Sequence, residues 1–345
     1  MKRSTLALIL SCAMFSAASY ASTPVQLSSF NNLPDDSEVN GFHGSFLYSD
    51  TGTVNGFDLP VLGYSEMDRL NGLQIGVAAG SHIRNGMNGV ALTLFNWHGG
   101  DDNGLNFGLA NQVGNLTGLN LGLYSAAEQV NGVNLGLATQ SGDMSGINIG
   151  VLGNYTSNNL TGINVAPFNW TQRDSTGINL SVLNHTGNAT GLNVGVLGNW
   201  SEGNIEGLNL GLVNVSGNVT GLNLAPVFNK SEDTLGGNIS AINMSHNVQG
   251  FNLGAVNITN DVEGANIGAV NVAHNVNGFN FGAVNASSGN SKADIGVFNY
   301  AESTSFQFGL VNATQNLEGL QIGVINIATN ATVPVLPLVN YHRTF

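Results

Sequence analysis

Any chemistry in this chain would have to come from few residues. Seven histidines are scattered along it: His43, His82, His98, His185, His246, His274 and His342. His246 and His274 hold equivalent places in a repeat described below, two copies apart. Stacked strands lie about 4.8 Å from one another, so two steps separate these rings by roughly 10 Å, too far to share one tetrahedral zinc ion. All seven are read as surface turn residues. Asp101-Asp102-Asn103 gathers oxygen donors beside a glycine, but not at EF-hand spacing. Asp261 and Glu263 flank Val262 and point to one side of a strand. Both groups are read as solvated turn carboxylates. The other acids (Asp143, Asp174, Glu202, Glu232, Asp233) fall mostly between motifs, not isolated on a grooved face as a glycosidase pair would be. No Gly-x-Ser-x-Gly elbow, P-loop lysine or His-Glu-x-x-His occurs. We therefore assign no catalytic, cofactor-binding or metal-ligating residue, no cofactor, and no enzymatic activity. The single cysteine, Cys12, excludes an intramolecular disulfide and a thiolate metal cluster.

The elements that would position such residues are set by an unusual composition. The 345 residues include 47 Gly, and only 8% are charged while 42% are hydrophobic. A typical soluble chain is roughly 25% charged. This argues against an ordinary α/β enzyme and a coiled coil, and the apolar content argues against disorder. The net charge is -13. The cations beyond the first few residues (Arg69, Arg84, Arg173, Lys230, Lys292, Arg343) are too scattered to bind nucleic acid or anionic headgroups. Residues 1–21 read as a signal peptide. Lys2 and Arg3 precede an apolar run from Leu6 to Phe15, and Ser19-Tyr20-Ala21 puts small residues before a cleavage point after Ala21. The run is shorter than the roughly 20 residues of a spanning helix. A rival reading makes Leu10-Ser11-Cys12 a lipoprotein anchor.

One unit recurs almost to the end: Gly, apolar, Asn, apolar, Gly, apolar, apolar, Asn. Copies begin at 104, 118, 132, 146, 162, 177, 191, 207, 221, 236, 250, 264, 278, 292, 305 and 319, with looser ones at Gly41, Gly56, Gly72 and Gly89. A small polar turn follows each motif, and an aliphatic residue returns two positions before the next Gly. Alternation within the motif is strand periodicity, and so much Gly and Asn would penalise a helix. We expect an all-β, single-domain repeat β-solenoid, with about 14 residues per coil and about 20 coils. Residues 22–40 and 334–345 interrupt the motif and read as N- and C-terminal caps around a solenoid over 41–333. Leu119, Leu121 and Leu123 share one side of their strand, Asn120 and Gly122 the other. The aliphatic row is expected inside, and stacked Asn side chains form amide ladders.

The alternative is an antiparallel outer-membrane β-barrel forming a pore. The leader, the terminal Phe345 and the near-palindrome of Asn275 to Asn285 about Asn280 favour it. Against it, Phe279, Phe281 and Ala283 make a band of only roughly 15 Å, where about 25 Å edged by aromatic girdles is required.

The stretches Val39-Asn40-Gly41-Phe42, Val54-Asn55-Gly56-Phe57, Asn71-Gly72-Leu73-Gln74-Ile75-Gly76 and Gly319-Leu320-Gln321-Ile322-Gly323, with the ending Pro334-Val335-Leu336-Pro337-Leu338-Val339-Asn340, carry a resemblance. The chain resembles the bacterial exported surface-repeat proteins first noted in Leptospira, with Asn in most units where that family often has Gln. The resemblance implies export and a cell-surface or outer-membrane location, and it supplies no catalytic residues. The functional expectation is a non-enzymatic exported envelope or surface protein. It would be structural or adhesive, binding a glycan, a protein, another surface or its own copies through regular Asn/Gly-rich faces. Outer-membrane association and a periplasmic address stay open. Ice binding is a weaker alternative, since the Thr-x-Thr ladder such a face needs is missing.

Overall fold

The computed structural model describes residues 22–342. The signal-peptide reading, Cys12 with its rival anchor reading, and Phe345 lie outside the described residues. The chain forms two compact units, one reaching Ala127 and the other starting at Glu128. Among the described residues there is no helix, and strands occupy nearly every coil.

Successive copies of the motif pair in parallel. In the second unit Gly250, Gly264 and Gly278 are register partners, as are Asn252, Asn266 and Asn280. Asn243, Asn257, Asn271 and Asn285 continue the same register on the next side of the coil. In the first unit the ladder runs Gly41, Gly56, Gly72, Gly89, Gly104. Parallel pairing of a copy with the next requires the chain to go once round between them, so each copy is one coil of a β-solenoid, with about 18 turns in the described residues. A barrel needs neighbours running in opposite directions, and this register overturns the barrel reading. Antiparallel pairing occurs at the two ends. Asn32–Leu33 returns along Thr23–Ser28, and Val335–Tyr341 runs back along the last coil, with Ile322 opposite Val339. The returning strand occupies hydrogen-bonding groups that would otherwise form an open edge.

The side chains are distributed opposite to the expected sense. In the coil 250–263, Asn252, Asn257, Thr259 and Val262 are buried, while Leu253 and Ile258 are 42% and 40% exposed. Asn120 is likewise interior; Leu119 and Leu121 are half-exposed and Leu123 is 58% exposed. The aliphatic row placed inside therefore faces out. An Asn one coil from its own copy can find both a donor and an acceptor at the inter-strand spacing, as Asn257 does with Asn243 and Asn271. Aliphatic packing falls mainly to the residue two positions before the leading Gly in many coils. Val248, Val262 and Val276, with Ala273, form one such cluster in the second unit; Val39, Val54, Leu70 and Met87 belong to another in the first.

The leading Gly makes the coils close enough for this. At Gly264 φ is +138°, and a Cβ there would overlap the carbonyl oxygen of Gly250 in the preceding coil. Only a hydrogen side chain fits both the left-handed backbone and the close approach.

Candidate functional site

Two regions gather polar or apolar groups in a way that bears on function: the coil interior, and the outward row it displaces.

Inside the second unit, one amide column runs Asn154, Asn169, Asn184, Asn199, Asn214, Asn229, Asn243, Asn257, Asn271, Asn285, Asn299, Asn312 and Asn326, each Nδ2 donating to the next Oδ1. Most of these amides donate also to a backbone carbonyl of the next coil, as Asn257 does to Ile267 at 3.0 Å. A second column passes through Asn252, Asn266 and Asn280 to Asp294. Asp294 takes donors from Asn280 Nδ2 (2.8 Å), Ser291 Oγ (2.7 Å) and Gln307 Nε2 (3.2 Å). Burial pushes its carboxyl above the usual carboxylate range, and those three donors pull against that shift.

Inside the first unit, two histidines read as surface residues are buried instead. The Nδ1–H of His43 donates to Asp58 Oδ1 at 2.6 Å, and Asp58 Oδ2 accepts from Ser65 Oγ and Gln74 Nε2. The Nδ1–H of His98 donates to Asp102, which also accepts from Asn106 Nδ2 at 2.8 Å, and His98 Nε2 stands 3.2 Å from Ser81 Oγ. Asp102 is thus not a solvated turn carboxylate; Asp101 is exposed. Ser81, His98 and Asp102 have the connectivity of a hydrolase triad. All three are at most 1% exposed, so the Ser81 hydroxyl meets neither substrate nor solvent here, and the line serves as a polar core. Sequence spacing missed His43–Asp58 and the Ser81 contact because their partners sit one coil away, and it left His98–Asp102, four residues apart, unpaired.

The remaining predicted residues lie on the outside. His82 pairs with Glu66, His185 stacks on Trp170 at 4.4 Å between ring centroids, and His274 meets Ser288. His246 is exposed. Asp233 and Asp261 accept from Asn247 and Asn275 of the next coils, both at 2.8 Å. Arg84 clamps Asp50, Glu66 and Asp68 from earlier coils, which holds its guanidinium well above the ordinary range, first through Asp68. Among the described residues no group of three or more His, Cys, Asp or Glu is placed to hold a metal.

The outward row changes character around each coil. From the leading Gly to the eighth residue after it the exposed side chains are mostly apolar, as in Phe279, Phe281 and Val284, with Gln140 and, in register with Val215, Lys230 among the exceptions. The following turn and the approach to the next Gly are polar, as in Asn260, Asp261 and Glu263. In the second unit a shallow groove of about 810 Å³ runs across the apolar corner, floored by Gly195, Gly211, Gly254 and Gly268 and walled by residues such as Leu210 and Leu253. An outer Asn ladder marks the first unit, where Asn55, Asn71, Asn88 and Asn103 each donate to the copy before, beginning with Asn40. In comparisons with known proteins, no family model, no curated protein and no solved structure matches this chain.

Proposed function

We propose that this is a non-enzymatic exported protein of the cell envelope or surface that works by binding through the repeated outer surface of its coils. The carrying observation is the inversion of the coil. Amide columns carry much of the interior hydrogen bonding, and the outside presents a periodic apolar side that a merely self-contained solenoid would have buried. The leader reading and the resemblance to exported surface-repeat proteins support the address. The partner is a glycan, a protein or another surface, or a second copy. The outer Asn40 to Asn103 ladder favours a polar partner for the first unit, and there the expected Asn-rich face exists. Elsewhere the binding face is aliphatic. Cell fractionation with protease shaving of intact cells tests the reading. Protein in the envelope fraction that begins at or near Ser22 and is cleaved from outside supports it. An uncleaved, cytoplasmic protein overturns it.

A further inference from the structure

The apolar side of the coil has a border, held by Trp or Tyr in some coils and by Val215, Lys230, Met244 and Ile258 in others. All three tryptophans of the chain stand at the same coil position. Trp97 and Trp170 are the eighth residues after Gly89 and Gly162, and Trp200 pairs in register with Val215, the eighth after Gly207. Tyr155 pairs with Trp170 at that position, and Tyr300 holds it in the coil that starts at Lys292. Trp97, Trp170 and Trp200 are 56%, 50% and 58% exposed. The next outward residues belong to the polar turn. The tryptophan rings thus sit where apolar surface gives way to polar surface, while phenylalanines such as Phe279 and Phe281 lie within the apolar side.

We propose that the second unit lies on a lipid bilayer with zwitterionic headgroups, its apolar corner immersed among the acyl chains and its Trp and Tyr border at the headgroup level. The inference rests on the envelope reading above and names the surface that is bound. Three features separate a bilayer from a second copy of the chain. First, the apolar residues cover two sides of the coil and the corner between them, a convex ridge that a fluid phase covers and a single flat partner does not. Second, protein interfaces concentrate aromatic anchors at their centre, whereas bilayers collect Trp and Tyr at the boundary. Third, much of the corner's backbone is hydrogen-bonded from coil to coil. Gly254 N–H donates to Ile267 O, Gly268 to Phe281 O, Val270 to Ala255 O and Val284 to Ala269 O, all at 2.9 Å. Immersion requires this, because an unpaired peptide group has no partner in hydrocarbon. The groove at Gly195 to Gly268 crosses seven coils, roughly 30 Å of stack. The charge decides the headgroup. With a net charge of -13 and carboxylates on the opposite edge, attraction to an anionic surface is absent, so binding rests on apolar contact.

The test uses the chain purified after export, mixed with phosphatidylcholine vesicles. We expect co-sedimentation that is unchanged from low to roughly half-molar salt, a blue shift of tryptophan emission, and quenching by lipids brominated along the acyl chain. Leu253→Lys combined with Phe281→Lys, both outward, should lower vesicle partitioning by about tenfold or more with the β-sheet circular dichroism intact. Glu263→Lys on the polar edge should leave partitioning unaltered. Folded wild-type protein that stays in the supernatant overturns the proposal, as does binding lost at high salt. A solution dimer that the double lysine variant abolishes, without vesicle binding, assigns the face to a second copy and also overturns it. In either case protease shaving still reports separately on the envelope reading.

Discussion

Asn257 shows what a single side chain does here. It accepts from Asn243 and donates to Asn271 and to the Ile267 carbonyl, all inside the coil. Asn257→Leu adds hydrophobicity to a buried site yet leaves the Asn271 acceptor and the Ile267 carbonyl short of a donor, at about 1–3 kcal/mol for each buried group. Leu253→Ala trims an outward residue and should cost less than about 1 kcal/mol. Denaturant melts of the two variants should therefore rank polar-to-apolar above large-to-small, the reverse of an ordinary core; the opposite ranking would refute the inversion. Asp294 gives a pH-dependent version of the same point. Its folded carboxyl titrates above its unfolded value through burial, so its contribution to stability is fully present below the ordinary carboxylate range and is lost as pH rises through the folded value. Asp294→Asn restores the amide column and removes that loss. We expect its melting temperature to exceed wild type at neutral pH, with the gap closing in acid. Equal curves for the two proteins across the pH range would contradict this. The alternation Leu119-Asn120-Leu121 made two sides legible in the sequence but not which was inner. The discriminating signal lay in variability between copies. Phe251, Ala265 and Phe279 differ freely at one position, as an outer site allows, while Asn252, Asn266 and Asn280 beside them do not change. The buried His43–Asp58 and His98–Asp102 pairs were illegible, because His43 and Asp58 replace amides, while His98 and Asp102 stand in register with Ile83 and Met87, in the least regular copies.

At the scale of the strand, the glycines divide into those that fix the spacing of coils and those that do not. Gly264 combines φ of +138° with a carbonyl of the previous coil in the place of its missing Cβ. Neither obstacle is a flexible side chain, so Gly264→Ala must displace backbone across two coils, and we expect a loss of more than about 3 kcal/mol. At Gly153 the nearest atom to an added Cβ is Phe168 O at 3.3 Å, and φ is not in the left-handed range. Gly153→Ala should cost less than about 1 kcal/mol. Thermal melts of the two alanine variants measure the difference, and similar losses would show that the leading Gly does not set the coil spacing. The repeat of Gly at a fixed offset announced a close backbone approach. Both motif glycines carry it, Gly268 against the Gly254 carbonyl as Gly264 against that of Gly250, and what was not legible is that only the first also has a left-handed φ.

For the molecule as a whole, the architecture follows from nearest-neighbour pairing, and that makes length negotiable and register not. Removing residues 264–277 joins Glu263 to Gly278. Gly250 then meets Gly278, Asn252 meets Asn280 and Asn257 meets Asn285, so every ladder closes with one coil fewer. Removing only 264–270 seats Asn271 where Gly264 stood. Its Cβ then meets the Gly250 carbonyl, and the inward and outward residues of the coil fall out of step with both neighbours. We expect the first deletion to keep its β-sheet circular dichroism and to melt within a few degrees of the parent, because one nearest-neighbour interface is lost out of many. The second, although it removes half as much chain, should lose cooperative melting. If both deletions fold equally well, the amide columns and the glycine contacts are not what holds the coils in register. If neither folds, the coils are not the independent modules that the parallel pairing implies.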